Sequence, residues 1–485
     1  MGIGEQITRL QTVFESIPPT SIYWTIIVCI WVEYLFELYL CIRQRRIYFS
    51  SANKLPSPLK DHMTLETFEK ARVYGIDKNN FSIVSEFYGM IVLTALLHYE
   101  GLYKGWVLTG PMLSGFGYWP ATWDVEIGRS ICFSILAMLF NNTVGIPLSI
   151  YSTFVLEEKH GFNNQTLGFF IKDFIKKIIV SVIITSPIVG LIVKIVQAGG
   201  QYFFVWLWVF CFVVLMFLMT IYPMLIAPLF DKYTPLKDGP LRSRIEALAA
   251  RIKFPLTKLY VVEGSKRSAH SNAYLYGFFN NKRIVLYDTL IKGYVAETKG
   301  KDDKENKEKE EKPKEEEKKE EEPKKEEKGC DDEEIEAVLG HELGHWKLNH
   351  VVKNIIISQA NIFVIFCLFA FFYRNSALYE AFGFPKQSDM PILLGLIIVL
   401  QFLLQIFNTA MGYLMNVLSR LFEFQADAYA TELGYGKYLK TSLIKLNKDN
   451  LGFPISDSLY SAWHHSHPTL LQRLSAIDLL MEKSK

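Results

Sequence analysis

The 485-residue chain is half hydrophobic, with 35 Phe, 25 Tyr, a mean hydropathy of +0.15 and a net charge of +2. Eleven Lys and 14 Asp or Glu crowd into residues 301–328, which leaves the rest only about 17% charged, against about 25% in soluble proteins. This excludes a disordered chain, a collagen-like chain and a disulfide scaffold, gives no argument for nucleic acid, and points to an integral membrane protein.

Seven stretches are long and apolar enough to cross about 30 Å of hydrocarbon as helices: 22–41, 81–99, 130–155, 174–197, 202–229, 351–373 and 391–415. Arg43, Arg45 and Arg46 follow the first directly, as in a signal anchor rather than a cleaved leader. Pro147 and Pro223 interrupt the third and fifth. Loops 41–80 and 156–177 carry eight and four Lys or Arg; loops 101–129, 198–201 and 374–390 carry two, none and two. Positive loops face the cytosol, so the N-terminus is expected outside it and the C-terminus inside, together with 230–350 and 416–485. Glu33, Glu37, Glu86, Gln359, Asn361, Gln401, Gln405, Asn408 and Asn416 lie in or beside the spans. Such groups face the bundle interior, either as interhelical hydrogen bonds or around a hydrated chamber.

Between the fifth and sixth spans, residues 258–288 read as strands rich in Val and Tyr, with Asn280-Asn281 as a turn. A strand there could pair with an extended peptide, with Asn272 holding its backbone. The run 301–328 reads as a solvated insertion, too polar for a core. None of the six cysteines forms a Cys-x-x-Cys pair, so no thiolate zinc site is indicated.

His341-Glu342-Leu343-Gly344-His345 fits H-E-x-x-H. Apolar residues at 335, 338, 339, 343 and 346 give helical spacing, and the acids 331–334 suit a helix N-terminus. His341 and His345 then share a face and could bind one metal ion, with Glu342 beside the open position. Leu348 and Val351 exclude a third histidine ligand of the metzincin type. His350 is expected to point to another face. A carboxylate from a second helix is the alternative: Glu423 and Asp427 stand four apart in 419–433, one to bind metal and one to orient a histidine. His464, His465 and His467, with Arg473, offer either metal contacts or an oxyanion donor.

The motifs RQRRIY (43–48), LEEKHGFNNQTLGFF (156–170), APLFDKYTPL (227–236), VVEGSKRSAHSNAYLYGFF (261–279), AVLGHELGHWKLNH (337–350), FEFQADA (422–428) and WHHSHPTLLQRL (463–474) run along nearly the whole chain. In them the chain closely resembles the type I CAAX prenyl endopeptidases, zinc proteases of the endoplasmic reticulum and inner nuclear membranes. The resemblance implies a mainly α, polytopic membrane protein: a seven-helix barrel around a hydrated chamber, capped by a mostly helical protease domain with a small β-element. It assigns His341, His345 and Glu423 as ligands of one zinc ion, with Asp427 close by. It places His467 in the active site, and Asn272 and Arg473 near bound substrate.

The implied reaction is removal of the C-terminal tripeptide from prenylated CAAX proteins, of the prelamin A or mating-pheromone type. Glu342 would activate a zinc-bound water, and His467, with Arg473, would stabilise the oxyanion. The expected organisation places spans one to five in 1–229 and spans six and seven in 351–415. The metalloprotease is expected as two cytosolic segments, 230–350, with a charged loop over 299–330, and 416–485. The partners are the bilayer and a prenylated C-terminal peptide, and the expected state is a monomer. Two rivals stay open: a heat-shock-type quality-control protease, and a non-enzymatic transporter or scaffold with structural zinc.

Overall fold

The computed structural model describes residues 3–115, 124–277, 281–294, 328–386 and 390–483. Most of the charged run and Asn280 lie outside them. The order is α1 (Ile3–Glu15), α2 (Pro19–Ser50), α3 (Leu65–His98), α4 (Gly101–Gly115), α5 (Val125–Tyr151), α6 (Leu167–Ala198), α7 (Phe203–Ile221), β1 (Tyr233–Pro235), α8 (Pro240–Arg251), β2 (Leu256–Val262), β3 (Ala273–Tyr276) and β4 (Lys282–Tyr287). Then come α9 (Asp332–Lys347), α10 (His350–Phe372), α11 (Ser376–Glu380), α12 (Ile392–Ile397), α13 (Gln405–Ala430), α14 (Gly436–Asp449), α15 (Ser458–His464) and α16 (Leu470–Lys483).

Among the described residues, six helical segments are long and apolar enough to cross a membrane; α12 and α13, bent by 63° at one break, supply a seventh. The break falls at Leu404 after a π-helical segment, Ile398–Leu403, so the straight span expected over 391–415 is not what forms. The prolines act differently from expectation. Pro147 lies inside α5, which runs on into a π-helical turn at Ser152–Glu157, and Pro223 sits in a similar turn after α7. A proline frees one carbonyl, which neighbouring groups in a membrane protein can re-satisfy, and neither span ends at its proline.

Each span touches its neighbour around a closed ring: α2 meets α3, α3 meets the end of α5, then follow α6, α7, α10 and the α12–α13 pair, which returns to α2. The ring is hollow. Only 6% of the most apolar stretch of the second, third and fifth spans is buried, whereas in a solid bundle each helix would cover a face. The chain is thus a mainly α, multi-span membrane protein with a small sheet. Spans such as the 32-residue α2 reach about 48 Å at 1.5 Å per residue, so they extend well past the hydrocarbon.

Several of the intramembrane polar groups take one of two roles. Glu33 accepts from Thr409 Oγ1 at 2.6 Å and from Gln405, joining the first and seventh spans. Glu37 accepts from Trp463 Nε1 at 2.7 Å, joining α2 to α15. Asn361 and Asn408 instead line a cavity of about 180 Å³ between α10 and α13.

The sheet has the order β1-β2-β4-β3, with β2 and β4 parallel and the other pairs antiparallel, which leaves β3 on an edge. Its inner face packs with α8 and α9 through Ile245, Leu248, Val261, Ile284, Leu286, Ile335, Leu339 and Leu343. A second cluster joins the α2–α3 loop to α14 and α16 through Leu59, Phe68, Ile444 and Leu474. Arg267 locks the sheet to the barrel: its guanidinium pairs with both oxygens of buried Asp173 on α6 at 3.0 Å, and with Asp231 at 2.6 Å. Truncating it strands a buried carboxylate that Lys177 only partly compensates. Arg267→Ala should lose about 2–4 kcal/mol, read as a lower melting temperature in detergent, and Arg267→Lys should lose less; equal melting of all three proteins would refute the lock.

Candidate active site

Helix α9 begins where its sequence directs. The Glu334 carboxylate accepts the Asp331 backbone N–H at 2.9 Å, and Lys445 bridges Glu334 and Asp331 from α14. One face of α9 enters the sheet core and the other meets α13. The approach is close because both helices are small there: a Cβ on Gly344 would lie 3.1 Å from the Ala426 Cα and 3.2 Å from its carbonyl oxygen.

This contact brings the H-E-x-x-H residues against the α13 acids. Glu423 Oε1 lies 3.2 Å from His345 Nε2, and Oε2 lies 3.5 Å from His341 Nε2. The two Nε2 atoms are 3.2 Å apart. Ligand atoms of His341, His345 and Glu423 all fall within 4.8 Å of one another, a spacing able to hold a metal ion. The chemistry fits a cation. Buried Glu423 Oε2 has no aligned hydrogen bond despite its close neighbours, and two imidazoles with one carboxylate form an ordinary zinc donor set.

Asp427, fully buried, bonds His341 Nδ1 at 2.8 Å and so turns Nε2 towards the cluster. Burial works against charge on His341, but its bonds to Asp427 and Glu423 prevail and push its pKa up to about 9. A cation entering the site takes the place of that proton. Arg473 neutralises Asp427 with two bonds, Nε to Oδ2 at 2.8 Å and Nη2 to Oδ1 at 2.6 Å. Its Nη1 lies 3.5 Å from Glu423 Oε2. Burial alone would lower the Arg473 pKa; the Asp427 pair reverses that and raises it.

Glu342 lies between two cavities and lines both. Burial raises its carboxyl pKa above the usual range, and the neighbouring imidazoles only partly oppose the rise. The smaller cavity, about 340 Å³, also contains Asn272, His341, Glu423, His467 and Arg473. His467 is 64% exposed, its Nδ1 2.8 Å from Glu423 Oε2. Asn272 stands at the head of β3, its Oδ1 accepting the Ala273 N–H at 2.8 Å. The larger cavity, about 1430 Å³, runs from Glu342 and His345 past β3 to Val180, Ile184, Leu218 and Ile355 on the spans.

His341, Glu342, His345, Glu423, Asp427, His467, Arg473 and Asn272 therefore gather within one site or along its cavity. His464 and His465 do not: His464 pairs with Glu37 at 3.1 Å, and the Tyr460 ring packs against His465. His350, expected on another face, instead lies with its Nδ1 3.0 Å from His345 Nδ1. The reason is Asn349, left-handed at φ +57°, which ends one helix and starts the next. Gln425, beyond His350, had no signal in the sequence.

The family model for the CAAX prenyl protease N-terminal region, five membrane helices, matches residues 44–232, and that for peptidase family M48 matches 235–480. The chain belongs to peptidase family M48. The "CAAX prenyl protease 1 homolog" of Mus musculus is 50% identical to it over 94% of this chain and 95% of the mouse protein. The "CAAX prenyl protease 1" of Saccharomyces cerevisiae is 38% identical, over 98% and 99%. The crystal structure of S. mikatae Ste24p superposes with a TM-score of 0.80 at 39% identity, covering 96% and 99% of the two chains. This M48 chain is therefore a metalloprotease of the CAAX prenyl protease kind, and its family implies a metal.

The helix contact yields a test. Backbone cannot retreat as a side chain can, so Gly344→Val should part α9 from α13. The variant should lose about 1–3 kcal/mol and retain little metal after dialysis, measured by elemental analysis. Retention of one metal per chain at an unchanged melting temperature would show that the approach is not needed.

Proposed function

We propose that this chain is a zinc-dependent membrane endopeptidase that removes the C-terminal tripeptide from prenylated CAAX proteins, of the prelamin A or mating-pheromone type. The observation that carries the reading is the position of Glu342 and the His341–His345–Glu423 cluster, at the mouth of a large, mainly apolar cavity that runs along the β3 edge and in among the spans. The chain works in the endoplasmic reticulum and inner nuclear membranes. Its N-terminus is lumenal, and its protease segments 230–350 and 416–485 lie on the cytosolic or nucleoplasmic side.

His341, His345 and Glu423 would hold the zinc ion. When bound, zinc supplies Lewis acidity to a scissile carbonyl and brings the pKa of a water towards about 7. Glu342 takes the proton of the attacking water, keeps it in a half-buried pocket that favours the neutral acid, and passes it to the departing amine. His467 reaches the site from the exposed side and donates to the developing oxyanion. Arg473 holds Asp427 against His341 through Nε and Nη2, and it lines the same cavity as His467, near where substrate would lie. The substrate backbone pairs with β3, and Asn272 marks where that pairing begins. The apolar cavity accepts the prenyl chain, where each buried CH₂ contributes about 0.8 kcal/mol.

Purified protein in detergent should release the terminal tripeptide from a farnesylated CAAX peptide faster than from its unprenylated twin. Glu342→Ala should abolish turnover while binding zinc. Equal cleavage of both peptides would replace the reading with a quality-control protease, and failure to cleave either by zinc-loaded folded protein would replace it with a non-enzymatic zinc protein. Asp427→Asn, which leaves Arg473 without its counter-charge and weakens the His341 partner, should lower zinc affinity about 10–100-fold, measured against a chromophoric chelator.

A further inference from the structure

The two histidines of the cluster are supported differently. His341 has a carboxylate on its outer nitrogen. His345 has a second imidazole, that of His350, at 3.0 Å. On one continuous helix His350 would stand about 140° away from His345. The left-handed turn at Asn349 folds it back instead. There it is buried, with its ring stacked on Phe422 at 4.0 Å and 5°. Its other nitrogen, Nε2, lies 2.9 Å from Gln425 Oε1, two residues after Glu423 on α13.

The protons in this chain are interdependent. A neutral imidazole carries one N–H, and two Nδ1 atoms in hydrogen-bond contact share a single proton. If His350 donates from Nε2 to the Gln425 carbonyl, its Nδ1 has a free lone pair and accepts from His345 Nδ1–H. The His345 lone pair is then on Nε2, facing His341 Nε2 and Glu423 Oε1 at 3.2 Å each. The reverse order puts the His345 proton on Nε2, where a metal must bind. Only the first order leaves His345 able to ligate.

We propose that Gln425 and His350 form a relay of positioning residues that fixes the tautomer and ring plane of His345 for metal binding. This rests on the zinc reading above and adds two residues to it. The relay is the neutral counterpart of the Asp427–His341 pair, so the site gains a second oriented imidazole without a further buried charge. Both its ends are anchored on α13, through Gln425 and through the Phe422 ring, the helix that also carries Glu423.

The test compares zinc dissociation constants of the full chain in detergent, by competition with a chromophoric chelator, alongside melting of the zinc-free proteins. His350→Phe keeps the stack on Phe422 but removes the acceptor; its dissociation constant should rise about 10–100-fold, with zinc-free melting unchanged. His350→Asn puts an amide oxygen where Nδ1 was and should bind zinc close to the parent value. Zinc binding by His350→Phe as tight as the parent, or by His350→Asn as weak as His350→Phe, would overturn the relay while leaving the zinc reading intact. A parent chain that binds no zinc would overturn both. Should His350→Phe fail to fold, Gln425→Met and Gln425→Glu decide the matter: the first should weaken zinc binding and the second preserve it, and parent-like binding by Gln425→Met would overturn the relay.

Discussion

The contact between α9 and α13 at Gly344 and Ala426 governs the rest of the site. It joins segments about 80 residues apart in sequence, separated by α10 and the α12 half of the seventh span. The site therefore does not belong to one domain that folds and then docks. It exists only once the sixth span has crossed, the seventh has returned, and α13 has come to rest on α9. The absence of a side chain at Gly344 sets the distance between the two backbones, and that distance sets whether Glu423 can reach both imidazoles.

The same contact creates an electrostatic problem. Two carboxylates, Glu423 and Asp427, are buried beside each other. Leaving one buried charge unpaired costs several kcal/mol, so each needs a cationic or donor partner. Asp427 obtains Arg473 from α16 and His341 from α9. Glu423 is left with the two histidines, His467, Arg473 Nη1 at 3.5 Å and one oxygen lacking an aligned bond. A cation resolves what the side chains alone do not. Stability and metal affinity thus come from the same unequal division: Asp427 is saturated by protein, and Glu423 is not.

The sequence made some of this legible and hid the rest for identifiable reasons. H-E-x-x-H states its own geometry, because i and i+4 share a helix face whatever the fold. Glu423 and Asp427 were visible only as candidates, since an i,i+4 acid pair is ordinary on a helix surface, and the resemblance rather than the spacing chose between their roles. His350 escapes the sequence pattern because a helix continued through Asn349 would turn it to another face, and nothing local marks that residue as left-handed. Proline is a weak guide to where these spans break: helix continues through Pro147 and past Pro223, while the 63° bend after Ile398–Leu403 has no proline at all. The basic loops and apolar stretches located the spans, but a hydropathy pattern cannot distinguish a hollow ring from a packed bundle.

That hollowness reconciles two demands that otherwise conflict. Peptide hydrolysis needs water at the metal, and a prenylated chain is most stable away from it. A solid bundle would exclude both from its interior, and a soluble protease would have to leave the lipid in solvent. Here the protease elements close one end of an open ring, and Glu342 lines both the small cavity beside the ligand cluster and the large one that reaches in among the spans. On the proposed function, the peptide would lie along the edge of β3 and its lipid among α6, α7 and α10. The ordering of polar groups follows the same logic. Glu33 accepts from Gln405 and Thr409 across the helices, which holds the ring closed, and Asn361 and Asn408 line a cavity, which keeps its wall wettable. A barrel lined only with leucine would be easier to insert, but it would drain the water on which the chemistry depends.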